Sequence, residues 1–497
     1  MSNPLKKLAG QTVIYGFSTI FPRLLNYLLV PFLTYKFTNP ADFGVNTEIY
    51  AYISFLNIVL AYGMQTAYFN FVNKEGNKDS VFGTALLSLL GTSLLFCIAG
   101  FICSTTIAKL LGHENEVRFI QWMILIIVSD ALMIIPFARL RNENKPWRFA
   151  LLKISNIVVN LGTVIFFLQI CRNDFLSENG ITTVSSWSHF YDPKIGIGYV
   201  FLANVIANFS TLVLLIPQFF KIKLQFDFLL WKRMMIYALP LLVVGLAGMV
   251  NETFDRIILK ELLPGERGLH DLGVYGACYK IAMLMTIFIQ AFGFAAEPFY
   301  FGHSNDKNSG KLNAIVMKYF VIACAFIFLV TILNLRWIQY IIGKSYWEGL
   351  PVVPILLLAN ICLGIHYNLS IWYKLTGKTR AGAMVTLLGA VITVIINFLF
   401  VPAYSYMASA WATLLSYAAM MVLSYLLLQK YYPIRYNLKS IFFFTGSALV
   451  LFFVSLCWKD KFPFLLELIL NNSLLLVFCA LFYKFEWPNL KKSNAAN

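Results

Sequence analysis

The sequence predicts an all-α integral membrane protein of about fourteen spans in two pseudo-symmetric bundles around a central cavity, plus two C-terminal helices. Three observations predict it. The 497 residues are 59% hydrophobic and only 12% charged, with a mean hydropathy of +0.71. A soluble domain carries roughly twice that charge. Apolar stretches of about 18–25 residues recur from end to end, each able to cross about 30 Å of hydrocarbon at 1.5 Å per residue. Lys and Arg gather in alternate loops between them.

The stretches run Val13–Tyr35, Ser54–Phe71, Phe82–Cys103, Ile120–Phe137, Ala150–Ile170 and Ile197–Pro217 in the first half. After a basic loop come Met234–Phe254, Leu272–Ala296, Leu312–Leu333, Pro351–Tyr373, Ala381–Val401 and Met407–Leu428. Ile441–Trp458 and Phe464–Tyr483 complete the set. This divides the chain into a bundle over 1–220, a second over 221–430, and residues 431–497 with two further spans and a tail. Trp122, Trp147, Trp337, Trp347, Trp458 and Trp487 stand at or near stretch ends, as interfacial anchors do.

An even number of spans puts both termini on one side. The loops on that side hold about 23 Lys and Arg against about 12 opposite, so the positive-inside rule makes both termini cytoplasmic. The net charge of +16 is spread over these short loops and is no nucleic-acid footprint. Of eight cysteines none forms a CxxC pair, and the five histidines are scattered. The pattern lacks the spacing of a disulfide framework or a metal site, and the cysteines read as small buried hydrophobes. No GxxxxGK[ST] occurs and no cofactor is implied. The loops are too short for a catalytic domain, and no paired carboxylates point to an enzyme.

An internal repeat joins the two halves. Tyr15-Gly16, Asp42-Phe43-Gly44-Val45, Tyr50, Ala67 and Phe71 reappear as Tyr237-Ala238, Asp271-Leu272-Gly273-Val274, Tyr279, Ala296 and Tyr300. Asp42 and Asp271 are expected as helix N-caps, with Pro40 in a turn leading into the first of these helices. Two halves of similar start suggest paired bundles about a shared cavity, a transporter geometry.

Charges inside the spans are the candidate site, because an ionised group at mid-bilayer costs about 2.5–3.5 kcal/mol on insertion scales. Arg23 and Asp130 both fall near the midplane. Either they hold two helices together as a charge pair, or Arg23 receives an anionic substrate with Asp130 as its resting counter-ion. Lys280, about 12 Å into its span, faces a cavity or snorkels outward. Arg256 follows Asp255 at a span end and can pair with it or with Glu252. Lys153, close to a cytoplasmic end, is expected to snorkel. Glu48, Glu252 and Glu297 are candidates for ion coupling. Pro22, Pro31, Pro240 and Pro298 lie in or just beyond spans, where proline kinks a helix.

Arg23–Tyr35 followed by Asn39-Pro40-Ala41-Asp42-Phe43-Gly44 resembles the opening of Wzx-type polysaccharide and O-antigen flippases. Leu239-Pro240-Leu241, Asp255-Arg256-Ile257-Ile258-Leu259 and Gly273-Val274-Tyr275 with Tyr279-Lys280-Ile281-Ala282 resemble the same family, and the order of these short motifs covers nearly the whole chain. The family belongs to the multidrug/oligosaccharidyl-lipid/polysaccharide exporter superfamily, with the lipid II flippases and the MATE drug exporters. The resemblance implies transport of a polyprenyl-pyrophosphate-linked oligosaccharide across a bacterial cytoplasmic (inner) membrane. It implies membrane lipids, and the polymerase or glycosyltransferases of the same pathway, as partners. It implies that Arg23, Arg256 and Lys280 receive the pyrophosphate, and that the last two helices form a groove for the lipid tail. A lipid II flippase carries a dense arginine cluster early in the chain; here Arg23 stands alone, against the peptidoglycan precursor as cargo. A MATE-like cation-coupled exporter is the nearest rival, and a membrane-embedded polymerase a more distant one.

Overall fold

The computed structural model describes residue 16 and residues 20–488, apart from 73, 76, 179–186, 220–224, 303–308, 377 and 460. Among the described residues twelve helices are long and apolar enough to cross a membrane. One of them, Thr379–Tyr431, holds two of the expected spans, because it breaks at Ser405. The first expected span lies partly outside the described residues; its described part is helical over 20–27 and again in α1 (Leu29–Lys36).

The remaining long helices of the first half are α2 (Pro40–Ala61), α3 (Met64–Val72), α4 (Lys78–Ile102), α5 (Val117–Asn142), α6 (Pro146–Ile165) and α7 (Tyr199–Phe219). Those of the second half are α8 (Phe228–Leu262), α9 (Glu266–Gly302), α10 (Ser309–Leu333), α11 (Val352–Leu369), α12 (Thr379–Tyr431), α13 (Leu438–Leu456) and α14 (Phe464–Phe485). Short helical turns link several of them.

Local chemistry sets the ends. Asn39, not Asp42, caps α2: its side chain accepts from the Ala41 amide, and Pro40 occupies the first turn, where a missing N–H costs nothing. Asp42 lies in that first turn, where an anion suits the helix dipole. Asp271 is not a cap either. Its helix begins at Glu266, and its carboxylate accepts a 2.6 Å hydrogen bond from Ser405. Both helices therefore begin before the hydropathy rises, and carry Glu48 and Asp271 inside regular helix. Asn77, Asp227 and Asn437 cap α4, α8 and α13. Tyr62 (φ 32°) and Gly63 (φ 73°) take left-handed backbone and separate α2 from α3. A Cβ on Gly63 would stand 2.8 Å from the Ala238 carbonyl oxygen, so α8 passes closest where the chain has no side chain.

The chain divides into two compact units. The first comprises residues 1–276 and 393–409, the second 277–392 and 410–497. In the first, α2 packs on α8 and α5, α4 on α5, and α7 on both α5 and α6. In the second, α10 packs on α11, α13 and α14. Of the cysteines, Cys171, Cys278 and Cys324 are buried as expected, whereas Cys103, Cys457 and Cys479 are exposed on surfaces with ample apolar area.

Polar clamps at both ends fasten α14 to α10. Near one end Arg336 pairs with Glu467, and Asn471 donates to the Leu333 carbonyl at 2.8 Å. At the other, Lys318 Nζ lies 2.5 Å from Glu486, whose second oxygen accepts from Ser440 of α13 at 2.6 Å. Glu486 is 4% exposed and Lys318 8%. Removing one partner of such a pair strands a buried charge and costs about 3–5 kcal/mol, while replacing both with apolar residues is close to neutral. Lys318→Met is therefore expected to lower the melting temperature of the detergent-solubilised protein sharply, and the added change Glu486→Leu to recover most of the loss.

Candidate functional site

The densest polar cluster of the first unit surrounds Asp130 in the middle of α5. Asn57 of α2 donates to its Oδ2 at 2.9 Å, and Asn208 of α7 to its Oδ1 at 2.8 Å. Asn208 also donates to Ser129 Oγ at 3.0 Å. Its own Oδ1 accepts from Asn156 of α6 at 3.1 Å, and Asn156 reaches Thr211 Oγ1 at 3.0 Å. Asn204, one turn before Asn208, donates to the Tyr50 hydroxyl at 2.9 Å. Two amides, from α2 and α7, thus donate to one carboxylate, and Asn156 of α6 holds the second of them in place. Each hydrogen bond to a charged acceptor is worth more than a neutral one, and the shell offsets part of the desolvation of the anion.

The Lys153 ammonium stands 4.4 Å from the centre of the Phe137 ring and interacts electrostatically with both Asp130 and Arg23. The ring face and the carboxylate both attract it. Arg23 lies in the helical stretch 20–27, beside Pro22, with its side chain exposed. Two cations and one carboxylate therefore share this region of the first unit.

The other candidates are placed as follows. Arg256 is half-buried on α8. Its backbone amide donates to Asp255 at 2.9 Å and its charge acts on that carboxylate, whose other oxygen accepts from the Tyr275 hydroxyl at 2.7 Å. Asp255, 2% exposed, is the buried member. Glu252, four residues before Arg256, is exposed. Glu48 is fully buried and bonded to His113 and Lys260. Lys280 belongs to the second unit and is half-buried. The Glu297 side chain lies outside the described residues.

The second unit carries an apolar groove of about 400 Å³. Met317 and Phe328 of α10, Ile361 of α11, Leu414 of α12 and Phe442 and Leu449 of α13 line it. The expectation that both terminal helices build a groove is met by α13 alone. The residues of α14 are absent from the lining, because that helix is committed to its clamps on α10.

Asn57, Asn156 and Asn208 are not singled out by the sequence. A signal existed for α7: Asn204, Asn208 and Thr211 recur at helical spacing, which puts them on one face of an otherwise apolar helix.

The family model for polysaccharide biosynthesis proteins matches residues 8–302. The chain belongs to that family. Solved structures similar to this polysaccharide biosynthesis protein include a lipid II flippase MurJ in an inward closed conformation. It has 15% identity and a TM-score of 0.71, covering 95% of this chain and 99% of that one. A multidrug resistance MATE family transporter of the MOP superfamily, inward-facing, matches with 14% identity and a TM-score of 0.63 over 83% of this chain and 94% of that one. The MATE multidrug transporter DinF-BH matches with 15% identity and a TM-score of 0.60 over 88% and 96%. No curated protein sequence matches. The family member is a multi-pass membrane protein with the helical fold that these flippase and multidrug-transporter structures share.

Replacing Asp130 tests the cluster. Asp130→Leu deprives two buried amides of their acceptor and is expected to cost about 1–3 kcal/mol. The loss reads out as a lowered melting temperature, whereas Asp130→Asn, which keeps an acceptor oxygen, is expected to lose less.

Proposed function

We propose that this protein carries a polyprenyl-pyrophosphate-linked oligosaccharide from the cytoplasmic to the external leaflet of the bacterial inner membrane by alternating access. The observation that carries the reading is the pair of cations, Arg23 and Lys153, set within membrane-spanning sequence, where Lys153 feels both Arg23 and the single carboxylate of Asp130. An excess of positive charge at that depth suits a diphosphate. Guanidinium is the fitting group, since its planar fork can meet phosphate oxygens two at a time. Arg256 and Lys280 supply further cations along the route, and the apolar groove beside α13 suits an isoprenoid chain. Membership in a polysaccharide biosynthesis family supports a glycan cargo.

The membrane potential favours this direction. Each negative charge leaving a cytoplasm at negative potential gains roughly 2.3 kcal/mol per 100 mV. The basic loops support cytoplasmic termini. The polymerase and glycosyltransferases that make and extend such a glycan are the partners this reading requires.

A second reading has its own observation. Asp130, held by the amides of Asn57 and Asn208, is the kind of carboxylate a cation-coupled exporter uses, and the MATE similarity in fold favours it. The two separate in one assay. In proteoliposomes, a fluorescent polyprenyl-pyrophosphate glycan is expected to cross at a rate that falls tenfold or more, about 1.4 kcal/mol, with Arg23→Ala and only partly with Arg23→Lys. An unchanged rate in Arg23→Ala removes that residue from the route. Export of a cationic dye with no glycan transport establishes the second reading instead.

A further inference from the structure

The repeated Asp-x-Gly-Val segments meet in space. In α2, a Cβ built on Gly44 would stand 2.0 Å from the carbonyl oxygen of Leu269. In α9, a Cβ on Gly273 would stand 1.9 Å from the carbonyl oxygen of Pro40. Gly273 and Leu269 lie 229 positions after Gly44 and Pro40 respectively, so each copy offers its glycine to the carbonyl four residues before the other copy's glycine. That is a self-complementary contact, of the kind a two-fold axis generates between identical subunits. Thr47 and Gly276 are 229 apart as well, and they face each other: a Cβ on Gly276 would lie 2.5 Å from Thr47 Oγ1. Where a residue meets its own counterpart, only one of the two has room for a side chain.

Glu48 follows Thr47 and is fully buried at the flank of this seam. Its Oε2 lies 2.9 Å from His113 Nε2, and its Oε1 3.2 Å from Lys260 Nζ. The same ammonium donates to the Leu111 carbonyl at 2.9 Å and to Glu261 at 3.0 Å. Tyr52, one turn after Glu48, donates to Glu261 at 3.5 Å. The carboxylate therefore ties α2 to the chain before α5 and to the end of α8. Over the seam lies a polar cavity of about 720 Å³ lined by Asp42, His113, Glu116, Glu266, Arg267 and His270.

We infer that the Gly44–Gly273 seam, latched by Glu48 to Lys260 and His113, is the gate that closes this end of the transporter and parts to release cargo. At the two glycines backbone lies on backbone, so the surfaces there separate without unthreading. A buried ion pair repays little more than its desolvation, which keeps the closed and hydrated states near balance. The polar cavity above, which His113 lines, gives the parted latch a place to hydrate. That the end is the external one rests on the orientation proposed above; the seam itself does not.

Spin labels report the gate without any substrate. In a cysteine-free background, labels at Asn39→Cys and Glu266→Cys, both exposed and both lining the cavity, flank the seam. Pulsed dipolar spectroscopy in lipid nanodiscs is expected to give a dominant short distance. Gly273→Ala and Lys260→Ala are each expected to raise the long-distance fraction about fivefold or more, since small free-energy changes move a balanced equilibrium by such factors. Gly162→Ala, whose Cβ meets nothing within 4 Å, is expected to change nothing. Unaltered distances in monodisperse Gly273→Ala and Lys260→Ala overturn the gate. Should either variant not fold, a Thr47→Cys/Gly276→Cys pair decides. The Gly276 Cβ would stand 3.3 Å from Thr47 Cβ, close to disulfide geometry of about 3.5–4.5 Å. Oxidation is expected to freeze the short distance and reduction to release it; a long-distance population that persists across the formed disulfide, or a disulfide that does not form, overturns the gate. Because the distance readout needs no cargo, the gate can fail while the glycan proposal stands, and the reverse.

Discussion

A charge taken into the apolar interior has to bring its partners along, because neither lipid nor packed side chains can solvate it. Insertion alone costs about 2.5–3.5 kcal/mol for a central Asp or Lys, and an unpaired buried ion more. This constraint organises the molecule. Asp130 draws amides from α2 and α7, Glu48 draws Lys260 and His113, Asp255 draws Tyr275, and Glu486 draws Lys318 and Ser440. In each case the partner comes from another helix or loop. Polar pairing therefore fixes which helices are neighbours, where apolar surface alone would leave many packings close in energy.

The clusters divide by kind. Asp130 accepts from two amides, and the cations Lys153 and Arg23 stand in the same region. The clamps on α14 are compact ion pairs closed at both ends, and they make that helix a fixed buttress. The groove beside α13 is left as almost bare hydrocarbon wall. Two cations beside a carboxylate in one unit and an apolar groove in the other are the two chemistries that the proposed amphiphilic cargo calls for.

Sequence repetition gains its meaning through geometry. Two similar segments 229 residues apart could mark no more than an ancestral duplication. Their glycines lie instead against each other's backbone, and the pair related to each other by the repeat, Thr47 and Gly276, meet face to face. The symmetry of the halves is thus expressed as a contact. Its glycines permit the close approach, while the left-handed bend at Tyr62-Gly63 answers a different need, the turn that lets α3 follow α8.

The sequence by itself determined where the chain is apolar enough to span a membrane, that the spans number about fourteen, and which residues carry charge within them. These follow from hydropathy and helical rise, which are local. It also identified Arg23, Asp130 and Glu48 as charges requiring explanation. It misplaced the caps, because Asp42 and Asp271 look like N-caps to a neighbour-by-neighbour reading while Asn39 and a helix start at Glu266 precede them. It missed Asn57, Asn156 and Asn208. Helical periodicity shows which residues share a face of one helix, but a face has no partner until another helix is laid against it. Only the tertiary structure decided that Asp130 meets Asn57 and Asn208, that Glu48 meets Lys260, and that the two glycines of a repeat touch, because those free energies belong to pairs of groups far apart along the chain.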